Sequence, residues 1–418
     1  MGDCDHLSEH CQLTRRYFFQ LGGAAAAAWS ASRLALANAD VDPQLQEAIA
    51  GLEYLTPVAR GRYTDKGKAG VLKLPTEKLR AIGLVPETWS LEVVADTASS
   101  SVVERPLTRA DGNALDWNGL MKLAERHAVR FLHPCFCVNG DDPFHTSVWE
   151  GVPLREIIWL TKPKANIRRV YYQSYHKEGA APFQASLPLG QVLETPPGQV
   201  PVVLAYKMNG ELIPAARGGP ARMVLPGGYG DKSIKWVQRV VLTNDFRAND
   251  TDAADFNADV EAAMKTKARF INAPTEATAG KPVALTGFAL VGISGIDKVQ
   301  YCVQSQQEPW PADDPHGTRA DWKDATILSP PVNWGGGLPD GKLPANTSHM
   351  DPANGTPLEW PMRFTIVHWA ALLPGMPVGK YDVCCRTIDR NGIAQPLPRP
   401  LLRTGANGIH RVTMVVNT

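Results

Sequence analysis

Long apolar runs are scarce in this 418-residue chain. Past the first 40 residues no stretch of 18 apolar residues occurs, which is what a membrane-spanning helix needs. Once the N-terminus is removed, no membrane association is expected. A bias of charge is missing as well: 43 Lys and Arg stand against 42 Asp and Glu, for a net charge of +1. A nucleic-acid partner would want a basic face, so none is expected. Cysteine is sparse, seven in all. There is no Cys-x-x-Cys-His for haem attachment, no repeated Cys-x-x-Cys for zinc and no iron–sulfur spacing.

What is present begins with an address. Thr14-Arg-Arg-Tyr-Phe-Phe-Gln20 is a twin-arginine pattern, followed by the weakly apolar run Leu21 to Trp29 and by Ala37-Asn-Ala39 before Asp40. Residues 1–39 are therefore expected to be an export signal, and the location periplasmic. A route that carries folded proteins suits a chain that takes up a large cofactor first. Cys4 and Cys11 leave with this segment. Cys135, Cys137, Cys302, Cys384 and Cys385 remain, an odd number that leaves at least one thiol unpaired in an exported protein.

The remaining chain is long enough for two domains. In residues 40–250 the periodicity predicts helices over Asp116–His127 and Gly151–Thr161. Strands are predicted at Trp89–Val94, Arg169–Tyr172, Val200–Ala205 and Trp236–Leu242. Asn244 to Lys267 is polar and acidic and reads as a linker. In residues 251–418 the pattern is all strand, at Val283–Leu290, Ile296–Val303, Gly379–Ile388 and His410–Val416. Short strands broken by Gly and Pro turns suit an immunoglobulin-like β-sandwich. The long loop from Gln304 to Pro361 is expected to cover an edge or a partner surface. The fold class is accordingly α+β.

Four blocks carry the chemistry. The first runs from His133-Pro-Cys-Phe-Cys-Val-Asn-Gly140 to Trp149-x-Gly151-Val-Pro-Leu154. The second is Phe183-Gln-Ala-Ser-Leu-Pro-Leu189. The third is Leu204-Ala-Tyr-Lys-Met-Asn-Gly-Glu211, then Arg217-Gly-Gly-Pro-Ala-Arg222, then Met223-Val-Leu-Pro-Gly-Gly-Tyr-Gly-Asp-Lys-Ser-Ile-Lys-Trp236. Its glycines let a main chain approach an anion, and Arg217, Arg222 and Lys235 supply charge that can grip phosphate. The fourth comprises Leu285-Thr-Gly-Phe-Ala289, Arg386-Thr-Ile-Asp-Arg-Asn-Gly392 and Gln395-Pro396.

In this order the blocks resemble the sulfite oxidase family of molybdenum enzymes. The resemblance implies a sulfite oxidase-type molybdopterin-binding domain followed by an immunoglobulin-like dimerisation domain. It makes Cys137 the metal ligand, because Cys137-Val-Asn139 is similar to the family's Cys-Val-Ser-Asn or Cys-Ala-Gly-Asn loop. A soft thiolate is a fitting single protein ligand where the pterin supplies others. By the same resemblance the molybdopterin cofactor is held by Tyr63, Ser186, Arg217, Gly218, Arg222, Ser233 and Lys235. His145 and His176 are candidate proton carriers in catalysis. The implied reaction is oxygen-atom transfer on a small sulfur compound of sulfite type. Electrons would leave to an external carrier such as a c-type cytochrome, and the chain would form a homodimer.

Three positions depart from the pattern of the sulfite-oxidising members. Asp142, beside Asp141, stands where they carry an arginine. Phe256 stands where they carry a tyrosine, and Arg217 replaces a histidine. Two carboxylates near an oxyanion site repel sulfite unless protonated or paired. The alternatives are a reductase of S- or N-oxides and a scaffold protein whose active site has decayed.

Overall fold

The computed structural model describes residues 42–59, 74–138, 140, 142–175, 179–251, 261–396 and 405–418. The twin-arginine segment lies outside the described residues. Residues 1–50 form one unit, of which helix α1 (Pro43–Ala50) is described, and residues 51–418 form the other.

The larger unit has two lobes. Among the described residues its first lobe carries ten strands: β1 (Ser90–Ala95), β2 (Leu115–Asp116), β3 (Val129–Phe136), β4 (Pro143–Pro153), β5 (Arg169–Ser174), β6 (Phe183–Pro188), β7 (Val203–Met208), β8 (Glu211–Leu212), β9 (Arg222–Val224) and β10 (Val237–Thr243). One sheet has the order β2-β1-β10-β5-β6, with β1 and β10 parallel. The other runs β3-β4-β7-β8, with β9 on β7. Short helices α2 (Thr76–Ala81), α3 (Trp117–His127), α4 (Leu154–Trp159) and α5 (Leu189–Leu193) complete the lobe. Leu91, Val170 and Val240 share one core with Leu120 of α3 and Ile157 of α4.

Local signals account for α3. The Asp116 carboxylate accepts the Gly119 N–H at 2.7 Å, an N-cap, and Arg126 and His127 lie in the last turn, where the helix dipole favours cations. The helix predicted from Gly151 is shorter, because Gly151, Val152 and Pro153 pair with Ala205, Leu204 and Val203 of β7. A Cβ on Gly151 would lie 2.7 Å from the Leu204 carbonyl oxygen, so this strand contact needs glycine. Pro153 then serves as N-cap to α4.

The second lobe contains β11 (Lys267–Asn272), β12 (Glu276–Thr278), β13 (Val283–Leu290), β14 (Lys298–Ser305), β15 (Lys323–Ile327), β16 (Ile366–Leu373), β17 (Gly379–Ile388) and β18 (His410–Asn417). The strand order is β11-β13-β16-β15-β14-β17-β18-β12. The two halves of this order face each other across Leu285, Val299, Trp369, Val383 and Met414, which makes a β-sandwich.

Strand β13 is buried at every position, and alternation explains it. Leu285 and Ala289 point into the sandwich, whereas Phe288 and Leu290 join a separate core with Leu132, Phe136, Val138 and Val148 of the first lobe. The loop predicted to cover an edge holds β15 and sends Trp334, Leu338 and Met350 into this seam. Trp334 meets Tyr54 edge-on at 4.7 Å. Trp334→Ala should lower unfolding stability by about 3–5 kcal/mol, the usual cost of deleting a buried aromatic. Urea denaturation of the purified chain measures it.

Candidate active site

Cys137 directly follows β3, half-buried at the seam. Its loop is held from three directions. The Gly230 N–H donates to the Phe136 carbonyl at 2.6 Å, and Ala406 N–H donates to Val138 at 2.8 Å. From the sandwich, Lys267 Nζ donates to the Gly140 carbonyl at 2.8 Å and sits 5.0 Å from the Phe136 ring centre. Ala268 and Phe270 of β11 fill the sandwich core, so alternation turns Lys267 and Arg269 the other way. Arg269 Nε lies 3.5 Å from Asp142, which is thereby ion-paired.

Behind the loop, β3 and β4 set Cys135 opposite His145. Both are buried. Burial holds the His145 imidazole well below its ordinary pKa, and Arg222, Arg217, Lys235 and His133 add to the effect. The Cys135 thiol is pushed up by burial, with Arg222 and Lys235 opposing. The charges of these cations therefore act together on His145 and Cys135.

Arg222 is buried, donating to the carbonyls of Arg217 at 2.9 Å and Ser233 at 2.6 Å, with its guanidinium 5.0 Å from the Trp149 ring centre. Arg217 Nε donates to the Val58 carbonyl at 3.0 Å. Gly218 has φ +95°, and a Cβ there would lie 2.4 Å from the Lys235 side chain, so only glycine lets these two segments meet. The Ser233 hydroxyl accepts the Leu225 N–H at 3.1 Å and so closes the glycine loop.

The predicted residues therefore divide. Cys137, His145, Arg217, Gly218, Arg222, Ser233 and Lys235 belong to this region. Ser186 is tied to the glycine-rich block through Lys232: its hydroxyl donates to Asp250 at 2.5 Å, and Lys232, next to Ser233, donates to Asp250 and to the Ser186 carbonyl, each at 2.6 Å. Tyr63, His176, Asp141, Phe256 and the Asn139 of the Cys137 loop lie outside the described residues. Sequence reasoning missed His133, although alternation along β3 puts it on the face of Cys135. It also missed Lys267 and Arg269, which carry no local signal because they arrive from another lobe.

Among the described residues no group of three or more His, Cys, Asp or Glu side chains is placed to chelate a metal. Two arginines and a lysine concentrated around His145 and Cys135 fit an anionic, phosphate-bearing group.

This fold and donor set are suited to seat an anionic cofactor beside a thiol. Residues 80–250 match the oxidoreductase molybdopterin binding domain. Sulfite oxidase of Gallus gallus is 33% identical over 104 residues, 24% of this chain and 22% of that enzyme. A nitrate reductase [NADPH] of Fusarium oxysporum is 32% identical over 106 residues, 25% of this chain and 11% of that enzyme. The chain thus matches only a small part of these relatives' length. The sulfane dehydrogenase SoxCD of Paracoccus pantotrophus shares the fold, with a TM-score of 0.54 and 17% identity over 80% of this chain and 79% of that one.

Burial sets the His133 pKa at about 3, with Arg222 assisting. A histidine released by unfolding titrates near 6.5, so below that pH the unfolded state binds a proton that the folded state refuses. Stability is full above about pH 6.5 and falls on acidification, by up to about 1.4 kcal/mol per pH unit for this group, until about pH 3. His133→Gln should flatten that dependence in urea titrations at pH 5 and 7. Lys267→Met removes a charged hydrogen bond of about 1.5–3 kcal/mol from the Cys137 loop. Alkylation of Cys137, followed by mass spectrometry, should then quicken about tenfold or more.

Proposed function

We propose that this chain is a molybdenum–molybdopterin oxidoreductase that oxidises a small sulfur compound of sulfite type by oxygen-atom transfer. It hands electrons to a separate carrier such as a c-type cytochrome, and it works in the periplasm after twin-arginine export. The reading rests chiefly on one observation: Cys137 directly follows the strand whose buried Cys135, with its neighbour His145, lies in the field of Arg217, Arg222 and Lys235.

Cys137 would hold the molybdenum, and Arg217, Arg222 and Lys235, with Gly218 and the Ser233 loop, would hold the pterin phosphate. Bound there, the group supplies two-electron oxygen-atom chemistry, which is the cofactor's own. The chain's residues do the rest. Arg222 is fixed by two carbonyls and Arg217 by a third, so the charge is oriented before any ligand arrives. His145, kept neutral by burial and the surrounding cations, can accept a hydrogen bond at its unprotonated nitrogen rather than hold a proton. The apolar seam beside Cys137 excludes water from that side.

Asp142, at the position of an arginine in the sulfite-oxidising members, would repel an anionic substrate if it stood alone. Arg269 pairs with it and brings the cation across from the sandwich, which supports the oxyanion reading. The structural relative named a sulfane dehydrogenase points the same way. The sandwich supports a homodimer, which sedimentation would test.

Protein produced with full cofactor supply should contain molybdenum and pterin in equal amounts by elemental analysis and pterin fluorescence. Absence of both overturns the proposal. In dye-linked assays sulfite or thiosulfate should be oxidised, whereas turnover of sulfoxides alone reverses the direction assigned here. Cys137→Ser should cost more activity than the ~10–100-fold typical of residues that only support a metal ligand. Cys135→Ser should retain most of it.

A further inference from the structure

A second pair of thiols lies far along the chain from Cys137. In the sandwich, Cys302 of β14 stands directly opposite Cys384 of β17 in an antiparallel register. Cys385, the next residue, is buried in the sandwich core with Val383. Alternation therefore turns Cys384 and its partner to the outer face. Opposed residues of antiparallel strands have Cα atoms about 4.5–5.5 Å apart, within the roughly 4.4–6.8 Å that a disulfide spans.

The outer face is roofed by two stacked pairs. Arg411 lies 4.6 Å from the Trp310 ring centre and Arg386 lies 4.1 Å from that of Trp322. The indoles are 6.2 Å apart. Arg386 lies on β17 two residues beyond Cys384, Arg411 stands opposite Cys384 on β18, and both indoles come from the loop after β14. Beside them a cleft of about 270 Å³ is lined by Gln304, Gln306, Trp310, Asp382 and Arg411. Arg411, half exposed at 47% and paired with Asp382 at 3.4 Å, forms the wall between cleft and sulfur.

We propose that Cys302 and Cys384 are a redox site, a dithiol that a small disulfide such as glutathione disulfide oxidises to a cross-strand disulfide joining β14 to β17. The Cys384 thiol lies below the ordinary thiol range, first through the hydrogen bond with Cys302 and then through Arg411. Cys384 is thus the attacking sulfur. Its thiolate attacks one sulfur of glutathione disulfide, giving a mixed disulfide and releasing one glutathione thiolate, which takes up the proton Cys384 lost. Cys302, deprotonated in turn, attacks the Cys384 sulfur and releases the second glutathione. Two protein thiols and one glutathione disulfide become one protein disulfide and two glutathiones. Among the described residues no other two cysteines face each other across neighbouring strands.

The test reads the sulfurs themselves and is independent of the molybdenum reading. The reduced full chain is incubated with glutathione disulfide, quenched in acid, denatured, alkylated and digested without reductant. Mass spectrometry should find one peptide pair linking Cys302 to Cys384, absent after dithiothreitol. C302S should instead accumulate glutathione on Cys384. If both thiols are alkylated in the oxidised wild-type sample, or if Cys384 is joined to Cys385, the proposal fails. Absence of any adduct on Cys384 in C302S refutes its role as the attacking sulfur.

Discussion

Two arginines buried within reach of each other's field, Arg217 and Arg222, are the constraint around which the first lobe is arranged. Burial and the neighbouring Arg222 both lower the Arg217 pKa, the signature of a cation whose charge is costly where it stands. The fold meets that cost with main-chain carbonyls from Val58, Arg217 and Ser233. Those carbonyls in turn require the left-handed turn at Gly218 and the loop closed by Ser233. An anionic group would relieve the arginines further. The same field keeps His145 neutral and opposes the burial that raises the Cys135 thiol.

The second lobe completes the site from behind. Because β13 is apolar on both faces, the sandwich can bury one face internally and lay the other against the first lobe. That contact carries β11 alongside the Cys137 loop, where Lys267 takes a backbone carbonyl and Arg269 takes a carboxylate. The sandwich thus bears directly on the residue proposed to bind metal. Any change in the sandwich that tilts β11 should be felt at Gly140. The oxidation proposed for β14 and β17 lies on the other sheet of the same sandwich.

Much of this is legible in the chain because the signals are local. The α3 helix is readable from an Asp cap and an apolar period within twelve residues, and β13 and β17 from uninterrupted strand patterns between turns. The glycine and arginine block gathers its residues within about twenty positions, so spacing alone brings Arg217, Gly218, Arg222, Ser233 and Lys235 together. Gly151 to Pro153 mislead because strand pairing with β7 is a long-range decision that outweighs a helical period. Ser186 stands out by its residue type and neighbours. Its hydroxyl is instead bonded to a carboxylate 64 residues further on, a partner that no spacing announces.

By itself, then, the sequence determined which chemistry the chain can support: a thiol loop, a cationic glycine-rich loop and an apolar strand set fit for a sandwich. These depend on short-range spacing and residue type, both written in the order of residues. Only the tertiary structure decided what surrounds the thiol. Lys267 and Gly140 lie 127 residues apart, and Arg269 neutralises an Asp142 that looks hostile to an anion when seen alone. Charge compensation depends on distance in space, which is set by how two lobes pack across a shared apolar seam.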